Sequence, residues 1–218
     1  AGTETRPMND AAWQLPAEWE SQSVVLIAWP HAGTDWAANL ADVESTYVAL
    51  AAAVTRFQHL VVVVADDALR EHVRVRLASA GVNLARVRLV LTEYDDTWLR
   101  DSGPITQRDG DRFRLLDFHF TGWGGKFGAS RDDLLIGALH ANSVFRNAEH
   151  ERIDFALEGG AIEVDGNGTL MSTLICLHQR HPAMDEAGLC EALGKIFSVA
   201  QVVLLKSGEL QGDDTDAH

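Results

Sequence analysis

Apolar runs alternate with helix-spaced stripes through the first ninety residues. The run "SVVLIAW" (23–29) is continuous and predicts a buried strand. Asp35 then stands where a helix cap would, ahead of Trp36, Leu40, Val43, Tyr47, Leu50 and Val54 at spacings of three and four. "LVVVV" (60–64) predicts a strand buried on both faces. A second helix is expected after Asp66-Asp67, with Leu69, Val73 and Leu77 inward and Gly81 as its stop. "VRLVL" (87–91) returns to the sheet.

Past residue 103 the texture changes. "PITQRDGDRFRLLDF" alternates on either side of an Asp-Gly turn and predicts a hairpin. The glycine-rich "TGWGGKFG" (121–128) reads as a loop, and "RDDLLIGALH" as a short helix. A second hairpin over 159–175 turns at Asp165-Gly166-Asn167-Gly168. A last helix, about Glu186–Phe197, carries Leu189, Cys190, Leu193, Ile196 and Phe197 inward, and "QVVLL" (201–205) follows. Hairpin, helix and strand thus recur at 104–156 and at 161–205. Alternating strands and helices alone would suggest a doubly wound sheet. The hairpin in each later unit favours a radial arrangement of small units instead.

Composition narrows the partners more than the fold. At 218 residues and 46% hydrophobic, the chain can bury a substantial core. Its net charge of −14 argues against nucleic acid, which needs a basic surface, and suits a cationic ligand. The strongest apolar run, "LVVVVA", is far too short to span a membrane, and "AGTETRPMND" has no signal-peptide core. Two cysteines give no disulfide scaffold, so a cytoplasmic location is expected.

The chemistry gathers at strand ends, where α/β folds assemble sites. Asp95–Asp101 follow "VRLVL", Glu158 precedes "AIEV", and Asp213–His218 follow "VVLL". Two carboxylates from different loops make a fork for a planar guanidinium. A histidine exchanges protons near neutral pH, and an indole such as Trp98 adds an apolar or cation–π wall. Plainer readings stand beside each. Asp101 pairs with Arg100 or caps a turn, and Glu158 is a solvated loop acid. The alternation Asp214, Asp216, His218 is a weak metal signal without a spaced partner. Gly122, Gly124 and Gly125 lack the order of a phosphate loop. Neither Cys176 nor Cys190 reads as a nucleophile: Cys190 falls on an apolar stripe, and Cys176 has only His178 nearby.

Five stretches in order, "TWLRDSGPI", "FTGWGGKF", "LEGGAIEVDGNGTL", "CL" and "GDDTDAH", resemble the agmatine deiminase / bacterial-type peptidylarginine deiminase family. With "LPAEWESQSVVLIAWPH" near the start, the resemblance runs from Leu15 to His218. It implies an α/β pentein fold, a propeller of five ββαβ-type units around a central site. It also implies hydrolysis of a guanidine carbon to a ureido group and ammonia. On that resemblance Asp101 binds the guanidinium, Glu158 is a second active-site acid, His218 is the catalytic histidine and Trp98 a pocket aromatic. No metal and no organic cofactor are implied. The expected partner is a small cationic guanidino substrate, agmatine or arginine-like, with no nucleic acid and no membrane; a homo-oligomer is left open.

Departures from the family pattern matter equally. Ala217 stands where glycine is usual, and "CLHQRHP" is looser than the usual Asn- and Arg-rich version. The family expects an Asp two residues beyond the histidine and a nucleophilic cysteine far downstream. On this reading residues 1–218 form a single partial catalytic domain, about three of five units plus the start of a fourth. A deiminase of free or peptidyl arginine is the near alternative, with Arg100 or Arg131 receiving the substrate carboxylate. A catalytically silent guanidine-binding protein and a metal-dependent hydrolase built on the tail are the alternatives from other classes.

Overall fold

Three three-stranded sheets are separated from one another by layers of helix. The computed structural model describes residues 13–145, 147–208, 211–212, 215–216 and 218. The first sheet is parallel, in the order β1 (Val24–Ala28), β2 (His59–Val64), β3 (Val87–Leu91). Its crossovers are α1 (Leu40–Val54) and α2 (Asp67–Ser79). After β3 a single turn, α3 (Leu99–Ser102), leads into the hairpin of β4 (Ile105–Asp109) and β5 (Arg112–His119). The turn α4 (Gly122–Gly125) and the helix α5 (Asp132–Ala141) then carry the chain to β6 (Ala148–Ala156), parallel to β5. The third sheet repeats this plan. It has a hairpin of β7 (Ile162–Val164) and β8 (Thr169–Thr173), then α6 (Leu174–Arg180) and α7 (Glu186–Phe197), then β9 (Gln201–Leu205) parallel to β8.

The alternation along β2 explains the layering. Leu60, Val62 and Val64 pack with Val73 and Leu77 of α2 and Ala51 of α1. Val61 and Val63 face the other way, onto Leu135, Ile136 and Leu139 of α5. Side chains alternate across a strand, so one run of valines joins two helix layers. A third core unites the second and third sheets through Leu116, Phe118, Leu170, Leu189, Leu193 and Phe197. Sheet and helix layers therefore alternate from the first sheet to the third.

Three expectations are corrected. The strand β1 is an edge strand with Val24–Ile27 only half-buried, because nothing pairs beyond it among the described residues. Asp35 does not cap the helix: a 3₁₀ turn over Asp35–Asn39 precedes α1, and neither its start nor that of α1 has a side-chain cap. Leu50 is exposed, and the buried face of α1 instead carries Ala51 and Glu44. Glu44 is tolerated there because Trp29 Nε1 (2.9 Å) and His72 Nε2 (2.7 Å) meet its Oε1. The helix α6 has no counterpart in the sequence pattern; seven residues are too few to show a helical period. By contrast, Asp66 caps α2 through Leu69 N, and Gly81 follows its end with φ 71°.

Candidate functional site

The loop before α3 is fixed by its own acids. Asp132 Oδ1 accepts from the backbone N–H of Asp95 at 2.7 Å, and Asp95 Oδ2 accepts from Arg131 N at 2.8 Å. Asp96 caps locally, accepting from Thr97 N and Asp35 N, while Trp36 Nε1 donates to Thr97 Oγ1. Asp95 and Asp96 therefore hold backbone. Asp101, further along in α3, is the acid that faces inward, at 7% exposure.

Asp101 accepts on both oxygens. The Gly160 N–H donates to Oδ1 at 3.1 Å, and Trp123 Nε1 donates to Oδ2 at 3.1 Å. His218 Nε2 lies 3.1 Å from the same Oδ2. The paired reading with Arg100 is excluded, since Arg100 instead faces Glu18 (3.1 Å) and Glu163 (3.9 Å). Both glycines of "EGG" follow from close packing. A side chain at Gly159 would collide with Arg100 O, and one at Gly160 with Asp101 Oδ1.

Glu158 is buried at 1% exposure, so it is no solvated loop acid. Its Oε1 accepts from Arg180 Nε at 2.7 Å, and its Oε2 lies 3.9 Å from Cys176 Sγ. Arg180 Nη1 also donates to Asp216 Oδ2 at 2.6 Å, and Lys126 Nζ to Asp216 Oδ1 at 2.8 Å. Burial, reinforced by the negative charge of Glu158, pushes the Cys176 thiol up to about 12. Asp216 is held below the usual carboxylate range: its partial burial opposes this, but the hydrogen bonds from Lys126 and Arg180 prevail. In the metal reading of the tail, Asp214 lies outside the described residues, and Asp216 faces two cations.

Trp98, 38% exposed, sits between Trp36 (centroids 5.6 Å) and the edge of Trp123 (6.4 Å). Trp123 is a site residue that sequence reasoning misses, because local preference hides it. Its backbone is left-handed (φ 56°, ψ 51°), which costs a bulky residue about 1–3 kcal/mol. Edge-on contacts with Phe120 and Phe127 hold it there. Asp101, Trp123, Gly160 and His218 thus form one contact group, and Glu158, Cys176, Arg180 and Asp216 a second. The two share the Glu158–Gly160 backbone and the 215–218 segment. A cavity of about 860 Å³ lies beyond Arg100 and Gly159, lined by Val24, Leu26, Ile105, Ile162 and Val164 and by none of the four predicted site residues.

Residues 14–218 match the family described as Porphyromonas-type peptidyl-arginine deiminase. The chain belongs to this family. Among its relatives, the agmatine deiminase of Pseudomonas aeruginosa (strain LESB58) is 34% identical over 215 residues, covering 94% of this chain and 56% of that protein. The agmatine deiminase of Stutzerimonas stutzeri (strain A1501) is 31% identical, covering 97% and 57%. A C. jejuni agmatine deiminase, solved as a cysteine-to-serine variant with substrate bound, superposes with a TM-score of 0.84 at 27% identity, over 94% of this chain and 60% of that one. The chain thus spans little more than half the length of these deiminases. Its α/β fold is that of the family. No helix among the described residues is long and apolar enough to cross a membrane.

Proposed function

We propose that this deiminase-family protein serves an amidinohydrolase of the agmatine type, converting the guanidino group of agmatine to a ureido group with release of ammonia. The observation that carries the reading is the Asp101 carboxylate, buried, walled by indole and 3.1 Å from His218 Nε2. A guanidinium is resonance-stabilised and a poor electrophile, so a thiolate must add to its central carbon. Asp101 receives its N–H groups and keeps it oriented, with Trp98 as wall. His218 gives a proton to the departing ammonia, leaving a thiouronium; it then takes one from water, whose addition expels the thiolate and leaves the ureido product. Glu158 takes part from behind, because Arg180 already holds its Oε1.

Agmatine is favoured over arginine because agmatine has no carboxylate to receive. Arg100 faces Glu18 and Glu163, and Arg131 faces Glu93 and Asp95. We read residues 1–218 as a single partial catalytic domain of a cytoplasmic enzyme, three units of a pentein propeller with the start of a fourth. The thiolate comes from neither cysteine present: Cys176 is buried beside Glu158, and Cys190 is half-buried on α7.

The test has two arms. Supplied with a cysteine-bearing remainder, the protein should release ammonia from agmatine well above its rate with arginine. Asp101→Asn and His218→Ala should each lower that rate by on the order of a hundredfold or more. Residues 1–218 alone should bind agmatine and match the no-protein background for ammonia. Turnover by these residues that Cys176→Ser abolishes would refute the assignment of the nucleophile. Agmatine binding without turnover in either arm would favour a silent guanidine-binding protein.

A further inference from the structure

Arg180 ends α6 with its side chain 1% exposed. All three guanidinium nitrogens are engaged: Nε with Glu158 Oε1 (2.7 Å), Nη1 with Asp216 Oδ2 (2.6 Å) and Nη2 with Thr215 O (3.2 Å). Burial works against its charge, yet the hydrogen bonds and charges of Asp216 and Glu158 outweigh this and hold it above the ordinary arginine value. A buried ion triad is poor evidence of stability, because the desolvation of three charges offsets most of their attraction. What such a triad supplies well is fixed geometry, and the planar fork of arginine is suited to it.

The segments it joins are informative. Glu158 opens the Glu-Gly-Gly turn whose Gly160 N–H sits on Asp101. A side chain on Gly124 would come within 3.0 Å of Arg180 Nη1, so the turn carrying Trp123 lies directly over the guanidinium. Asp216 and Thr215 lead to His218, two residues beyond Asp216. Among the described residues, the three groups on the Asp101 carboxylate, Trp123 Nε1, the Gly160 N–H and His218 Nε2, therefore belong to segments in contact with Arg180.

We propose that Arg180 is a positioning residue: its guanidinium fixes Glu158 and, through Asp216 and Thr215, holds His218 against Asp101. Of the two acids expected to fork a substrate, Glu158 is thus matched to an internal guanidinium, whereas Asp101 is met by two N–H groups and His218 and keeps its charge for a cationic substrate. The inference rests on the reading of Asp101 and His218 as the reacting site.

The experiment reads His218 directly, without ligand, from its ring resonances in histidine-labelled protein, assigned with His218→Gln. Arg180→Lys keeps the charge but cannot span Glu158, Asp216 and Thr215 together. Asp216→Asn leaves the Arg180–Glu158 pair intact and weakens the links of the tail to Arg180 and to Lys126. In both variants the His218 resonances should move toward those of a solvated histidine while the thermal transition persists. Agmatine affinity should fall on the order of tenfold or more. If Arg180→Lys does not fold, Asp216→Asn decides beside Lys126→Ala, which removes the other cation on Asp216: His218 must move in the first and stay in the second. Unmoved His218 resonances in a folded Arg180→Lys or Asp216→Asn variant would overturn the proposal. Wild-type protein that fails to bind agmatine, with His218 still released by the variants, would overturn the function and leave the positioning role standing.

Discussion

Asp132 is 4% exposed and accepts the N–H groups of Asp95 and Asp96, and burial, opposed by those hydrogen bonds, pushes its carboxyl up to about 6. A carboxyl whose pKa is raised on folding binds more protons in the native state, so stability falls as pH rises between the unfolded value of 3.8 and about 6. The difference is on the order of 3 kcal/mol at 1.36 kcal/mol per unit. Asp132→Asn removes that slope while keeping an acceptor for Asp95 N–H. Urea unfolding from pH 4 to pH 7 should therefore show the variant gaining on wild type as pH rises; parallel curves would refute this. The same loop shows what single residues disclose. Asp101 is reached from its place beyond a strand end and from the resemblance carried by "TWLRDSGPI", because an acid beside Arg100 also has local uses. Arg180 is not, because its partners lie 22 and 36 residues away, and Trp123 is hidden by a left-handed backbone that sequence preferences disfavour.

At the scale of elements, turns set the site more than helices do. A Cβ on Gly160 would overlap Asp101 Oδ1 and stand 3.0 Å from His218 Cδ2, although the N–H that serves Asp101 would remain. Gly160→Ala should therefore displace the carboxylate and weaken agmatine binding by on the order of tenfold, with a loss of about 1–3 kcal/mol in stability as for overpacking elsewhere. A Cβ on Gly128 would meet nothing within 4 Å, so Gly128→Ala is the control, expected to lie within about 0.5 kcal/mol of wild type. Calorimetric titration and urea unfolding of the pair check both; equal affinities would refute the role of the turn. Strand periods are readable because β2 shows its two faces to two different cores. The face of α1 is harder to read because the chain there is alanine-rich on several sides, and a buried Glu44 breaks the apolar stripe.

For the whole molecule, the three leading strands matter most. Val24 and Leu26 of β1, Ile105 of β4, and Ile162 and Val164 of β7 line one cavity of about 860 Å³, with Phe113, Leu115 and Phe145 beside them. Strands from three separate sheets meet at this face. β1 and β9 are edge strands with half-exposed apolar side chains, a template for pairing with another chain. The net charge of −14 opposes encounter between copies, and salt screens such repulsion over a Debye length of about 10 Å at 0.1 M. Residues 1–218 should thus self-associate through this apolar face, more strongly at higher ionic strength. Phe113→Glu, at a residue 38% exposed on the face and outside the three cores, should restore a monomer at micromolar concentration. Light scattering across a salt series checks this. A cooperatively melting wild-type monomer at every salt concentration would mean that the face is closed within these residues, and the five-unit reading would fall with it.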